Sequence, residues 1–275
     1  MLTLTSTRKL RDGYEMPLFG LGVFQLEANG ECERQVRTAL DLGYRHIDTA
    51  RGYRNEEEVG NAIRASGIPR EEIFVTTKVM VGPDEKIETA VDESMNLLNI
   101  GYIDLYLLHW PKREHTERSW EILQKRRDAG LIRSIGVSNF TKRRFEEQFL
   151  PRVNEVPAVN QIERHPFYQQ RDTVDFGEGN HIFTVAYSPL ARGNRMDNLT
   201  IAEIADAHGK SNAQVMIRYQ LQSGCGVIPK SAKLERLKEN ADVFDFELSH
   251  EQMRRLDGLE AGESVIEWRP EEDWF

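Results

Sequence analysis

Four polar side chains stand where the sequence is otherwise apolar, and their types suit proton delivery to a carbonyl oxygen. Asp48 ends the run Arg45–Asp48, Lys78 ends Ile73–Lys78, and His109 ends Ile103–His109. Tyr53 follows Asp48 by five residues. A free phenol has a pKa of about 10, too high for an efficient proton donor at neutral pH. A nearby ammonium favours the phenolate and lowers that pKa. A buried Lys in turn needs a carboxylate to stay charged, and Asp48 is the natural partner for Lys78. His109 beside the phenol could donate a hydrogen bond to a substrate carbonyl and orient it. Such a set protonates an alkoxide as it forms, which is the chemistry of carbonyl reduction, and it needs no metal. The competing reading is structural: an Asp48–Lys78 ion pair and a satisfied core histidine. Three such residues ending successive strands, with a Tyr nearby, favour the chemical reading.

These side chains converge only if the elements that carry them lie side by side. Candidate strands are Leu18–Val23, Arg45–Asp48, Ile73–Lys78, Ile103–His109, Ile132–Val137, Ala158–Gln161, His181–Tyr187 and Gly226–Pro229. Most are continuous apolar runs without alternation, as expected of parallel strands covered on both faces. Helical periodicity marks Cys32–Leu42, Asn55–Ser66, Asp84–Asn99, Arg118–Ala129 and Ser211–Gln222, with an extra helix near Thr200–His208. Asn55 before Glu58 has capping-box spacing, and Asp84 introduces another long run. Strand starts recur about every 25 to 30 residues, the length of one βα unit. About eight units in 275 residues predict a single α/β domain, a (β/α)₈ TIM barrel spanning 1–275. An N-terminal β-hairpin (about 2–15), signalled by Asp12-Gly13, would cap its bottom, with extra helices near the C-terminus and a tail at about 259–275. The main competitor is a doubly wound open sheet. Gly20-Leu-Gly22-Val-Phe-Gln25 has two glycines of its dinucleotide fingerprint, but Gln25 holds the third glycine's place. In a barrel, Asp48, Lys78, His109 and Tyr53 all belong to one mouth, the C-terminal end of the strands.

Composition narrows the partners. There are 36 Lys and Arg against 45 Asp and Glu, a net charge of −9, so nucleic acid is not expected and any anionic ligand needs a local basic pocket. A hydrophobic fraction of 39% with 4 Trp, 8 Tyr and 12 Phe argues against disorder. The most apolar stretch, Ile103–Trp110, is too short to span a bilayer and carries Asp104, so no membrane partner is expected. Two cysteines outside any C-x-x-C pair fit a reduced, cytoplasmic compartment. His46, His165, His181 and His208 show no metal-ligand spacing. The Lys125–Arg127 and Lys142–Arg144 runs read as solvated helix faces, and Glu56-Glu57-Glu58 as an acidic helix start.

The segment Gly43 to Glu56, which contains Asp48 and Tyr53, resembles the aldo-keto reductase signature around its catalytic Asp and Tyr. Thr76-Thr77-Lys78 is similar to the family's lysine segment and Leu108-His109-Trp110-Pro111 to its histidine segment. Ile135 to Phe140, with Ser138 and Asn139, and Asn160-Gln161 resemble the segments that hold a nicotinamide carboxamide. Tyr187-Ser188-Pro189-Leu190 resembles the segment whose Tyr stacks under the nicotinamide and whose loop, with Arg192, covers the pyrophosphate. Ile228 to Ser231, then Arg236 and Glu239-Asn240, resemble the adenosine 2′-phosphate and adenine pocket. The resemblance runs from about Phe19 to Asn240. It implies NADP(H) as cofactor, held by Gly22, Val23, Phe24, Asp48, Ser138, Asn139 and Gln161 at one end. Tyr187, Ser188, Pro189, Leu190, Arg192, Lys230, Ser231, Arg236, Glu239 and Asn240 would hold the rest. A small-molecule carbonyl substrate would meet Phe24, Tyr53, Met80, His109 and Trp110, and the protein would be a monomer.

Some residues depart from the pattern. Arg54 stands where many relatives have Gly, and Met80 where many have Trp. The short loop Pro111–Thr116 and the brief tail after Gly262 resemble the microbial 2,5-diketo-gluconate and methylglyoxal reductase branch. Trp268 and Trp274 read either as packing anchors or as a substrate-facing wall. Alternatives to a reductase are a sugar or polyol dehydrogenase running in the oxidising direction and a cofactor-sensing subunit, like the potassium-channel β subunits of this fold.

Overall fold

The computed structural model describes residues 2–112 and 114–266. The chain opens with a hairpin of β1 (Thr7–Lys9) and β2 (Glu15–Pro17), which pairs Thr7 with Pro17 and Lys9 with Glu15. Its strands lie a few residues later than the spacing predicts. The turn uses Gly13 at φ +96°, a left-handed conformation that Gly adopts without a side-chain clash. Leu10 and Met16 pack against Phe74, Leu105, Ala158 and Phe183, near the starts of the sheet strands, and Asp12 accepts a 2.7 Å hydrogen bond from Ser134 Oγ. The hairpin therefore plugs the floor of the main sheet.

That sheet is parallel throughout and runs in chain order: β3 (Leu21–Gly22), β4 (His46–Asp48), β5 (Phe74–Val79), β6 (Ile103–Leu108), β7 (Ile132–Ser138), β8 (Val159–Glu163), β9 (Phe183–Tyr187) and β10 (Gly226–Val227). It closes on itself. Phe19 bridges Val227, Gly20 N donates to Val227 O at 2.9 Å, and Val227 N donates to Leu18 O at 2.8 Å. At this seam a β-carbon on Gly22 would sit 3.0 Å from Ile228 O, so the close approach of β3 and β10 suits glycine. The strands are buried on both faces, which is why their sequences lack alternation.

Helices α1 (Glu31–Asp41), α2 (Glu56–Ala65), α3 (Asp84–Leu98) and α4 (Thr116–Asp128) cover the first half of the barrel. A short α5 (Lys142–Arg144) runs into a π-helical turn, Phe145–Phe149, and is followed by α6 (Arg171–Gly179), α7 (Leu199–His208), α8 (Asn212–Gln222), α9 (Leu234–Ala241) and α10 (His250–Asp257). In α1 the apolar positions Cys32, Val36, Ala39 and Leu40 follow helical spacing and are buried, while acidic residues occupy the first turn. Helix α8 starts at a capping box, Ser211 with Gln214, and is buried from Ala213 to Leu221 between the barrel and its neighbouring helices. The capping box expected at Asn55 does not form. Asn55 turns its side chain away from α2, and Glu58 reaches Gly30 N and Glu33 N at the start of α1. Helix α3 has Pro83 at its cap position, and Asp84 pairs with Arg118. Among the described residues no helix is long and apolar enough to cross a membrane.

Candidate active site

Strands β4 and β5 are register neighbours, with Asp48 opposite Thr76, so the last residues of both come together at the mouth. Lys78 Nζ donates to Asp48 Oδ1 at 2.5 Å and to Thr49 O at 2.8 Å. The other carboxylate oxygen accepts Gln161 Nε2 at 2.6 Å from β8, across the barrel. Both charged groups are buried. Burial pushes the Asp48 carboxyl up and the Lys78 ammonium down, and their contact works against both shifts.

Tyr53 sits in a 3₁₀ turn, Arg51–Tyr53, directly after β4. The turn is tied down by Asn55: Thr49 Oγ1 donates to its Oδ1 at 2.7 Å, and its Nδ2 donates to Val23 O and Leu26 O at 3.0 and 3.1 Å. Asn55 thus holds the Tyr53 loop against the loop leaving β3, a role its helix-start position conceals in the sequence. Arg54 adopts φ +59°, a left-handed conformation that glycine takes readily and arginine seldom does. The Lys78 ammonium lies 5.1 Å from the Tyr53 ring centre, and the His109 ring meets Tyr53 edge-on at 5.7 Å. Phe24 packs on the other side at 4.9 Å.

Burial raises the Tyr53 phenol far above its ordinary value, the Asp48 charge adds to the rise, and the Arg192 charge opposes it. Tyr53 is therefore a neutral O–H donor. His109 is pushed down to about 3 by burial and then by the Lys78 charge, so its imidazole is neutral at physiological pH. Its backbone is fixed at both ends: His109 N donates to Val79 O at 2.8 Å, and His109 O accepts Asn139 Nδ2 at 2.9 Å.

These groups face a cleft of about 770 Å³, a size suited to a small-molecule ligand. Asp48, Tyr53, His109 and Trp110 line it, with Gly22 and Phe24 on one side. Ser138, Asn139, Gln161 and Tyr187 line it from β7 to β9, where Tyr187 OH donates to Asn139 Oδ1 at 2.7 Å and Ser138 Oγ to Gln161 O at 2.7 Å. Ser188, Pro189, Leu190 and Arg192 continue the wall, with Ser188, Ala191 and Arg192 all at positive φ. Lys230, Arg236, Glu239 and Asn240 complete it.

Other predicted residues stand elsewhere. Val23 is in the core and Lys78 lies behind Asp48. Met80 is 53% exposed and does not line the cleft, because it falls just beyond β5. Ser231 is buried and bonds Lys233 within its own turn. Trp268 and Trp274 lie outside the described residues. No motif or spacing marks Gln25, Met196, Ala213 and Ile266, which also line the cleft from loops and from α8.

The model of the aldo/keto reductase family matches residues 20–261. The chain belongs to that family. An aldo-keto reductase from a deep-sea metagenome library of the Medee basin superposes with a TM-score of 0.92 at 39% identity, covering 96% of this chain and 98% of that one. Among curated relatives, a glyoxal reductase of Bacillus subtilis is 46% identical over 266 residues, 96% of each chain. A methylglyoxal reductase of Yersinia pestis is 41% identical over 268 residues, again 96% of each. These two reductases match the microbial branch that the short loops suggest. As an aldo/keto reductase the chain is an oxidoreductase, and its site geometry can be read for carbonyl chemistry.

Proposed function

We propose that this chain reduces aldehyde or ketone carbonyls to alcohols with NADPH, with Tyr53 as general acid. The observation that carries the reading is the meeting of a neutral phenol, a neutral imidazole and a buried Lys–Asp pair at one wall of the cleft. The cleft also suits the cofactor. Arg192, Lys230 and Arg236 line it, and among the described residues no carboxylate forms an ion pair with any of them. In an acidic protein, three such cations in one cleft favour a ligand rich in phosphate. Arg236 and Lys230 would hold the 2′-phosphate. Arg192 would meet the pyrophosphate, and Asn139, Gln161, Ser138 and Tyr187 the nicotinamide.

When bound, that cofactor supplies hydride to the carbonyl carbon. The remaining work belongs to the chain. His109, neutral, donates a hydrogen bond to the carbonyl oxygen and orients it. Tyr53 gives its proton to that oxygen as negative charge develops there. The phenolate left on Tyr53 is favoured by the Lys78 ammonium, and Asp48 keeps that ammonium charged and placed. Gln161 restrains the second Asp48 oxygen. Phe24 and Trp110 give the substrate end an apolar wall. The named relatives support small dicarbonyls such as glyoxal and methylglyoxal as the first substrates to try. We take the whole chain as one barrel domain acting as a cytoplasmic monomer, with no nucleic-acid or membrane partner.

The test is turnover of the purified protein on a panel of small aldehydes and ketones, in both directions and with both nicotinamide cofactors. Reduction with NADPH exceeding that with NADH is the expected result. Oxidation of polyols outrunning every reduction would reverse the assigned direction, and negligible turnover on the whole panel would indicate a cofactor sensor.

A further inference from the structure

Glu163, the last residue of β8, is a buried carboxylate outside the proposed proton path. It follows Gln161 by two residues, so both side chains face the mouth, and its register partner on β9 is Tyr187. Among the described residues no Lys or Arg pairs with it. Its acceptor capacity is filled in another way. Oε1 accepts Val265 N at 2.6 Å and His165 Nε2 at 3.0 Å, and Oε2 accepts Ser264 Oγ at 2.6 Å. His165 must carry a proton on Nε2 to donate to a carboxylate; its other ring nitrogen is Nδ1. That atom is buried and, among the described residues, without a partner.

Two of the three donors come from residues 264 and 265, about 100 residues away in sequence. The same segment is fastened elsewhere. Ala261 N and Glu263 N donate to Phe167 O at 3.1 and 3.2 Å, and Arg195 Nη2 donates to Glu263 Oε1 at 2.6 Å. Ile266, two residues past Ser264, then lines the cleft. Were the segment to lift, Glu163 would lose the Val265 backbone donor and the Ser264 hydroxyl donor and keep only His165 for its buried carboxylate, a costly state. That penalty holds the segment down.

We propose that Glu163, oriented by His165, is a positioning residue that latches residues 261–266 across the barrel mouth and thereby fixes the Ile266 wall of the substrate cleft. The proposal rests on the carbonyl-reductase reading for its kinetic consequence, but the latch itself is open to direct measurement. Ile266 is apolar, like Phe24 and Trp110, so its displacement acts on the carbon skeleton of the substrate. The phosphate-binding cations are held by other segments.

Glu163→Gln removes the charge and one acceptor, and Ser264→Ala removes one donor from the 261–266 side without touching the barrel. Each is compared with wild type by amide hydrogen exchange over 261–266, by KM and kcat on an accepted carbonyl, and by NADPH affinity. A charge-assisted hydrogen bond is worth roughly tenfold or more in an equilibrium constant. Ile266 N also donates to Ser264 Oγ, so the latch is read at Val265, whose N donates to Glu163. Exchange there should rise about tenfold in both variants, with KM up severalfold, kcat nearly kept and NADPH affinity within about twofold. The double variant should fall short of the sum of the two single effects, because both act on the Ser264–Glu163 contact. Unchanged exchange in Ser264→Ala would overturn the latch. Raised exchange with unchanged KM would overturn its role in the cleft. If wild type reduces no carbonyl, the functional reading fails, while the exchange data still decide the latch.

Discussion

The barrel buries a carboxylate–cation pair at each end, and the two have different surroundings. At the floor, Asp104, near the start of β6, accepts Arg70 Nη2 at 2.5 Å, Val75 N at 2.9 Å and Arg133 Nη1 at 3.3 Å. Both guanidiniums stack over the Tyr102 ring, at 4.1 and 3.6 Å. Arg70 spends its remaining donors on backbone carbonyls, including Ile100 O and Tyr102 O. At the mouth, the Asp48–Lys78 pair is as short and its cation more deeply buried, and Tyr53 and His109 stand in front of it and face an open cleft. Burial raises the carboxyl of both aspartates. A buried, perturbed ion pair is therefore no mark of chemistry by itself. What separates them is the end of the strand they occupy and whether a second layer of polar groups faces a cavity.

Breaking each pair should produce different phenotypes. Lys78→Met should lower turnover by about 10² to 10⁴-fold, the range of a lost general acid, and also lower stability, because it leaves Asp48 buried without its cation. Asp48→Asn should impair it less, since the amide keeps the shape and part of the hydrogen bonding. Asp104→Ala should leave two partly exposed guanidiniums and the Val75 N–H without their carboxylate and lower stability by roughly 1 to 3 kcal/mol. Its kcat/KM, measured below the melting transition, should match wild type. Denaturant unfolding and steady-state kinetics on the three variants check the contrast. A slow but fully stable Asp104→Ala would merge the two ends.

A smaller effect sharpens the picture of the mouth. Arg236→Ala should weaken NADPH by roughly ten- to a hundredfold, the worth of one charge-assisted contact of about 1.5 to 3 kcal/mol. NADH, which lacks the 2′-phosphate, should be nearly unaffected. Titrating both cofactors into both proteins decides it, and equal losses would return Arg236 to the solvated surface.

A further effect is in pH. His46 at the floor and His109 at the mouth are both held down to about 3, first by burial and then by Lys78. The unfolded chain takes up these protons at about 6.5. Between that value and about 3 it binds more protons than the folded state, so stability falls as pH falls through this window. His109 stays neutral meanwhile, and imidazole nitrogen shifts in NMR should show no titration of it from about pH 8 to 5.

The mouth chemistry is legible in sequence because a polar residue ending an apolar run is an anomaly, and Asp48, Lys78 and His109 are three in succession. The barrel is legible from the recurrence of such runs. Loops and helix ends are not. Asn55 and Glu58 have capping spacing, yet tertiary partners 25 to 32 residues away claim both side chains. Glu56 reads only as part of an acidic helix start, yet it is buried and accepts Thr77 Oγ1 at 2.6 Å. Resemblance places Met80 in the cleft, whereas it turns to solvent past the end of β5. Cleft walls such as Met196, Ala213 and Ile266 come from distant segments, and no local pattern reports where a loop folds back.

The central claim is that Tyr53 delivers the proton, and one measurement addresses it directly: single-turnover reduction of a carbonyl by NADPH-loaded Tyr53→Phe, alongside its NADPH affinity. The phenyl ring keeps the packing against Phe24 and His109 and loses only the donor. We expect the rate to fall by about 10² to 10⁴-fold with NADPH affinity within about twofold of wild type. A variant that keeps half of the wild-type rate would remove Tyr53 from the mechanism.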